Sequence, residues 1–157
     1  MSLYRHILIA TDYSAAARQV AEKGFTLAKS CNARVSLLHV VEYIPPFDLS
    51  SDLVLPEFDL EQEMLENARE RMQDLTKKQA QIHDIDAEAI QNWVELGSPK
   101  EEIVRIAAER DADLIVMGSH GTHGLALLLG STANAVLHHA GCDVLAVRIQ
   151  DSDQTSH

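Results

Sequence analysis

Five short aliphatic or β-branched runs recur along the chain, separated by stretches of helix-forming residues. RHILIAT (5–11), RVSLLHVV (34–41), AIQNWVEL (89–96), DLIVM (113–117) and VLAVR (144–148) read as strands, too short for helices and stopped by polar or turn residues. Between them, 15–30, 60–81, 100–110 and 131–140 place small and apolar residues at helical spacing. In the second of these Leu60, Met64, Leu65, Ala68, Met72 and Leu75 draw one stripe. A β-α-β-α-β-α-β-α-β order predicts an α/β fold, because right-handed crossovers make successive strands parallel and lay helices on both faces of the sheet. Two strand orders satisfy this pattern, 3-2-1-4-5 and 2-1-3-4-5. Aromatics are only 4%, so the core is filled by Ala, Val, Leu and Ile, as a sheet buried on both faces requires.

A chain of 157 residues has the length of one domain, expected over 1–150 with a frayed polar tail that begins near Ile149 and includes 151–157. The stretch 42–59 holds Pro45, Pro46 and Pro56 and reads as a long loop folded back on its own domain. The net charge of -11 argues against nucleic acid and anionic membrane surfaces as partners. With no basic-then-apolar leader, no run of transmembrane length and no CxxC pair, the expected location is cytoplasmic. Cys31 and Cys142 are expected to be small buried hydrophobes.

The segment 118–132, GSHGTHGLALLLGST, starts where the fourth strand ends and finishes where a helix begins. Gly118, Gly121 and Gly124 let backbone approach a charged group closely. Gly130, Ser131 and Thr132 offer amides and hydroxyls at a helix N-terminus, a good place for phosphate. The same glycines would also serve a tight connection with no ligand. Asp12 and Ser14 stand at the carboxyl end of the first strand. In the order 3-2-1-4-5 that strand neighbours the fourth, and the crossover direction reverses between them, so Asp12 and Gly118 would share a crevice with an apolar floor of Ala10, Val40 and Met117.

Together, HILIATDYS, VSLLHV, the GSHG after DLIVM and the GST before ANAVLHH resemble the universal stress protein family over nearly the whole chain. That resemblance implies a Rossmann-like, adenine nucleotide alpha hydrolase-like sheet of order 3-2-1-4-5 and a homodimer paired through the fifth strand. It also implies AMP or ATP as ligand, with Mg or Mn bridging the phosphates, and a role in stress response. By position, base and ribose contacts fall on Ala10, Thr11, Asp12 and Val40, beside Met117. Phosphate contacts fall on Gly118, His120, Gly121, Gly130, Ser131 and Thr132. Family members that bind nucleotide carry Gly-x2-Gly-x9-Gly-Ser/Thr, whereas here only eight residues, 122–129, separate Gly121 from Gly130. No Lys or Arg lies between Gly118 and Thr132, which favours AMP over ATP.

An enzyme is not expected. Walker, Rossmann GxGxxG and GxSxG patterns are absent. Ser119 and His120 are adjacent, and adjacent side chains rarely meet as a catalytic pair. His120 with His123, and His138 with His139, lack a carboxylate or thiol at ligand spacing, so no metal site is expected. His39 reads as a core or site-lining residue. The alternative function is a dimeric protein-interaction module in which the glycine loop is structural.

Overall fold

The computed structural model describes residues 2–42, 57–120 and 129–149. The elements are β1 (His6–Ala10), α1 (Ala17–Cys31), β2 (Arg34–Val41), α2 (Glu57–His83), β3 (Ile90–Leu96), α3 (Pro99–Glu109), β4 (Leu114–Gly118), α4 (Ser131–His139) and β5 (Asp143–Val147). Most boundaries fall within a residue or two of the sequence reading. The exception is α2, which begins at Glu57, inside the stretch expected to be loop, and continues to His83. The rest of that loop, 43–56, lies outside the described residues, as does the tail 151–157.

All pairings are parallel and the order is β3-β2-β1-β4-β5, so the first of the two candidate orders holds. Side chains alternate across the strands and build a core on each face. Ile7, Ile9, Leu37 and Val116 pack with Val20, Ala21 and Phe25 of α1 and Met72 of α2. Leu8, Leu38, Ile115 and Met117 pack with Ile103 and Ile106 of α3 and Ala133 and Val136 of α4. Helix α1 buries Ala17, Val20, Ala21, Gly24, Phe25 and Ala28, and its C-cap Asn32 turns left-handed at φ 53. Helix α3 opens with Pro99 in its first turn, followed by Glu101 and Glu102.

The amino ends of the strands are tied shut by polar groups. His6, 1% exposed, donates from Nδ1 to the Arg110 carbonyl (2.9 Å), and its Nε2 meets Ser36 Oγ (2.7 Å). The Asp113 carboxylate accepts the backbone N–H groups of Arg5 (2.8 Å) and His6 (3.0 Å). Desolvation pushes the Asp113 carboxyl up, but these backbone bonds outweigh it and hold it below its ordinary value. At the carboxyl ends the sheet opens, and the crossover reverses direction between β1 and β4. Cys31 and Cys142 are partly exposed rather than buried, because each stands at the end of an element, and both are free thiols.

Candidate functional site

Two chain reversals frame the opening. The β1–β2 ladder ends where the Thr11 N–H donates to the Leu38 carbonyl (2.8 Å). The chain then turns through Tyr13, whose φ is +59. Thr11 Oγ1 accepts the Tyr13 N–H (3.2 Å) and Asp12 Oδ1 accepts the Ser14 N–H (2.9 Å), local bonds that suit Thr and Asp to this position. The Tyr13 ring stacks on His39, with centroids 4.0 Å apart. Its hydroxyl donates to the Ala68 carbonyl of α2 (2.8 Å), and the Arg71 guanidinium lies 4.9 Å above the ring. Burial pushes the Tyr13 phenol up to about 12, against the pull of Arg71. Burial also lowers the His39 imidazole, outweighing its bond to Thr11 and the nearby Asp12. His39 Nδ1 lies 2.7 Å from the Thr11 carbonyl, which can only accept, so Nδ1 carries the hydrogen.

On the other side, the Ser119 N–H donates to the Val147 carbonyl (2.9 Å), and the Gly130 N–H donates to the Ser119 carbonyl (2.7 Å). The second bond brings the start of α4 back beside the end of β4. Gly130 is the N-cap of α4, and no side chain caps that helix, so Ser131 and Thr132 do not serve as caps. The first-turn amides are left without side-chain acceptors. A Cβ on Gly118 would lie 3.2 Å from Ile149 Cδ1 and 3.4 Å from the His120 carbonyl oxygen, so glycine fits where these groups close in.

Between the two reversals lies a cavity of about 610 Å³, the size of a small-molecule site. Its walls bring together Ala10, Thr11, Asp12, Val40, Met117, Gly118, His120, Gly130, Ser131 and Thr132. Gly121, Gly124 and His123 lie outside the described residues. Ser14 and His39 also line it, as do Glu42, Pro99 and Ile103. Ile149 lines it too. The sequence reading assigned this residue to the frayed tail, but its apolar side chain closes over the end of β4. Its one signal was an aliphatic residue directly after the last strand. The described lining holds two carboxylates, Asp12 and Glu42, and no Lys or Arg.

Ser119 Oγ and His120 Nδ1 do meet, at 2.5 Å, contrary to the expectation for neighbours in sequence. The turn after β4 brings the two side chains to one side. Only His120 reaches the cavity wall, and among the described residues no carboxylate bonds its ring, so the pair is not a triad. Nor, among the described residues, do three His, Cys, Asp or Glu side chains gather as metal ligands. No described helix is long and apolar enough to cross a membrane.

Fold and cavity define a doubly wound α/β domain with an open crevice at its topological switch point. The sequence pattern of the universal stress protein family matches residues 3–148, and the chain belongs to that family. It is 37% identical over 153 residues to Universal stress protein A homolog 2 of Coxiella burnetii (strain RSA 493 / Nine Mile phase I), covering 97% of this chain and 100% of that one. Among solved structures, universal stress protein UspA from Lactobacillus plantarum superposes with a TM-score of 0.73 at 28% identity, covering 92% of this chain and 98% of that one. An Arabidopsis thaliana family member solved with AMP bound shares the fold at 19% identity, with a TM-score of 0.64 over 97% of this chain and 95% of that one.

Proposed function

We propose that this protein binds an adenine nucleotide, AMP in preference to ATP, in the crevice between β1 and β4. In this reading it acts in the cytoplasm as a nucleotide-responsive stress protein, not as an enzyme. The observation that carries it is the convergence, on one cavity, of an uncapped helix N-terminus with the end of the β1–β2 ladder. The α4 amides and the hydroxyls of Ser131 and Thr132 suit phosphate oxygens. Ala10, Val40 and Met117 suit the flat apolar faces of a base, and Asp12 suits ribose hydroxyls. AMP bound to the Arabidopsis protein is consistent with this use of the fold. Among the described lining residues, two carboxylates and no Lys or Arg favour the ligand with fewer phosphates, and a triphosphate would bring its own Mg or Mn. A homodimer paired through β5 completes the proposal.

The rival reading, an interaction module that binds no nucleotide, draws on that same lack of cations. To separate them, the freshly purified protein is denatured and the supernatant assayed for AMP, ADP and ATP, and the emptied protein is titrated with each. Binding is expected to be saturable and tightest for AMP. Gly130→Val, which sets a branched side chain over the α4 amides, should weaken it about tenfold or more with an unchanged circular dichroism spectrum. No released nucleotide and no saturable binding at millimolar concentration would leave the interaction module.

A further inference from the structure

Among the described residues, Tyr13, Asn32, Asp84 and Asp111 have a positive φ without being glycine. Asn32, Asp84 and Asp111 each stand within two residues of the end of a helix, where a short Asn or Asp side chain tolerates the left-handed region. Tyr13 differs in both respects. It is bulky, it stands at the mouth of the crevice, and its backbone at φ +59 costs free energy that its surroundings must offset. Asp12 and Ser14, on either side of it, line the cavity, with Asp12 Oδ1 accepting the Ser14 N–H. The Tyr13 side chain instead leaves the cavity for α2. Its hydroxyl donates to the Ala68 carbonyl (2.8 Å), the Arg71 guanidinium lies over its ring, and the ring stacks on His39. By helix geometry the Ala68 carbonyl also receives the Met72 N–H, and its two lone pairs serve both donors. Among the described side chains of α2, Ala68 is the first to be buried, and Met72, Thr76, Gln79 and Ala80 follow. Tyr13 therefore takes hold where the seated part of the helix begins.

We infer that Tyr13 is a positioning residue that couples the crevice to α2: its grip on the helix holds the turn that directs Asp12 and Ser14 into the cavity, and ligand bound there in return seats α2 more firmly. This rests on the nucleotide reading above. Two states of the turn carry the coupling. While Tyr13 is held on α2, the turn keeps its left-handed residue and Asp12 faces the ligand. Once released, Tyr13 relaxes to an ordinary φ, which reorients the peptide planes on both sides and carries Asp12 out of place. A ligand that engages only the first state shifts the balance towards it, and by linkage it strengthens the hold of Tyr13 on α2 by the same factor. Whatever draws α2 away from the sheet should accordingly release the nucleotide.

Two variants separate the hold on α2 from the turn itself. Tyr13→Asn accepts the left-handed backbone but is too short to reach the helix, whereas Tyr13→Phe keeps the ring and loses only the hydroxyl. Backbone amide exchange is followed by NMR in wild type and both variants, free and saturated with AMP, and AMP affinity is measured by calorimetry. The amides of α3, which packs on the other face of the sheet, serve as reference. In wild type AMP should slow the α2 amides around Ala68 and Met72 about fivefold or more relative to that reference. In free Tyr13→Asn the same amides should exchange faster, AMP should no longer slow them, and AMP affinity should fall about fivefold or more, with Tyr13→Phe between the two. A merely structural tyrosine would instead lower the urea midpoint and speed exchange in every element alike, leaving the affinity of the folded protein unchanged, and that result overturns the proposal. AMP bound by wild type without any effect on α2 overturns the coupling alone. No nucleotide bound by wild type overturns the coupling together with the nucleotide reading.

Discussion

Gly24 occupies the middle of α1, where the helix lies directly on β1. A Cβ there would come 2.5 Å from Ile9 Cδ1 and 2.6 Å from Cγ1, and Ile9 is fully buried. Two effects oppose each other in Gly24→Ala. The helix gains about 1 kcal/mol of propensity, whereas overpacking a tight core costs about 1–3 kcal/mol. The overlap reaches Cγ1, not only the side-chain tip, and a β-branched residue in a strand has little freedom at χ1 to move away. Gly24→Ala should therefore lower stability by about 1 kcal/mol, read as a lower urea midpoint with an unchanged slope. Shortening its neighbour with Ile9→Val should recover about 0.5 kcal/mol or more relative to the sum of the single changes. Strict additivity would show that the two sites do not press on each other. The reason for this glycine was not legible in the sequence, because it is a contact with a residue on another element. His39 was legible only as core or site-lining, since its bond to the Thr11 carbonyl depends on the direction of a backbone group that periodicity does not reveal. Asp12, Gly130, Ser131 and Thr132 were easier to find, because turn and helix-start chemistry is local and each stands at the carboxyl end of a strand or the start of a helix.

Elements were read more reliably than their arrangement. Each strand declared itself through a short aliphatic run, but two sheet orders remained open on pattern alone, and the resemblance chose between them. The pairings show why: β1 sits in the middle, between β2 and β4, a matter of which strands meet in space. The start of α2 was misplaced because prolines through Pro56 read as loop, whereas Glu57, just beyond the last of them, already begins the helix. Strand β5 is an edge, as expected. The Ser119 N–H donates to the Val147 carbonyl, so Val147 and, by alternation, Leu145 turn their backbone groups to β4, while Val144 and Ala146 turn theirs outward. With Leu145 and Leu137 37% and 44% exposed nearby, an antiparallel twofold pairing of β5 would use the outward N–H groups of Val144 and Ala146. Ala146→Pro removes one such donor without touching the β4 ladder. Sedimentation at tens of micromolar should find a dimer in wild type and a monomer in Ala146→Pro, with equal helical content. A wild-type monomer, or a variant that stays dimeric, would rule this pairing out.

At the scale of the whole molecule, 24 acidic side chains face 13 basic ones, and the proposed ligand is itself an anion. The described cavity wall repeats the imbalance, with Asp12 and Glu42 and no Lys or Arg. The long-range field therefore opposes phosphate, and short-range dipoles, the α4 amides with the Ser131 and Thr132 hydroxyls, must hold it. These two contributions respond differently to salt. The screening length falls from about 30 Å at 0.01 M to about 8 Å at 0.15 M, which suppresses repulsion from distant carboxylates while leaving contacts within hydrogen-bonding distance nearly intact. Nucleotide affinity should accordingly rise with ionic strength, the reverse of the usual behaviour of phosphate sites built from lysine and arginine. Titration calorimetry without divalent ions, from about 0.01 M to 0.15 M salt, should show ATP binding about two- to fivefold tighter at the higher value, AMP changing less and uncharged adenosine hardly at all. The order matters more than the size, because only repulsion that scales with ligand charge ranks the three in that way. Weakening with salt would mean that cationic side chains carry the phosphate, and that the exposed start of α4 does not.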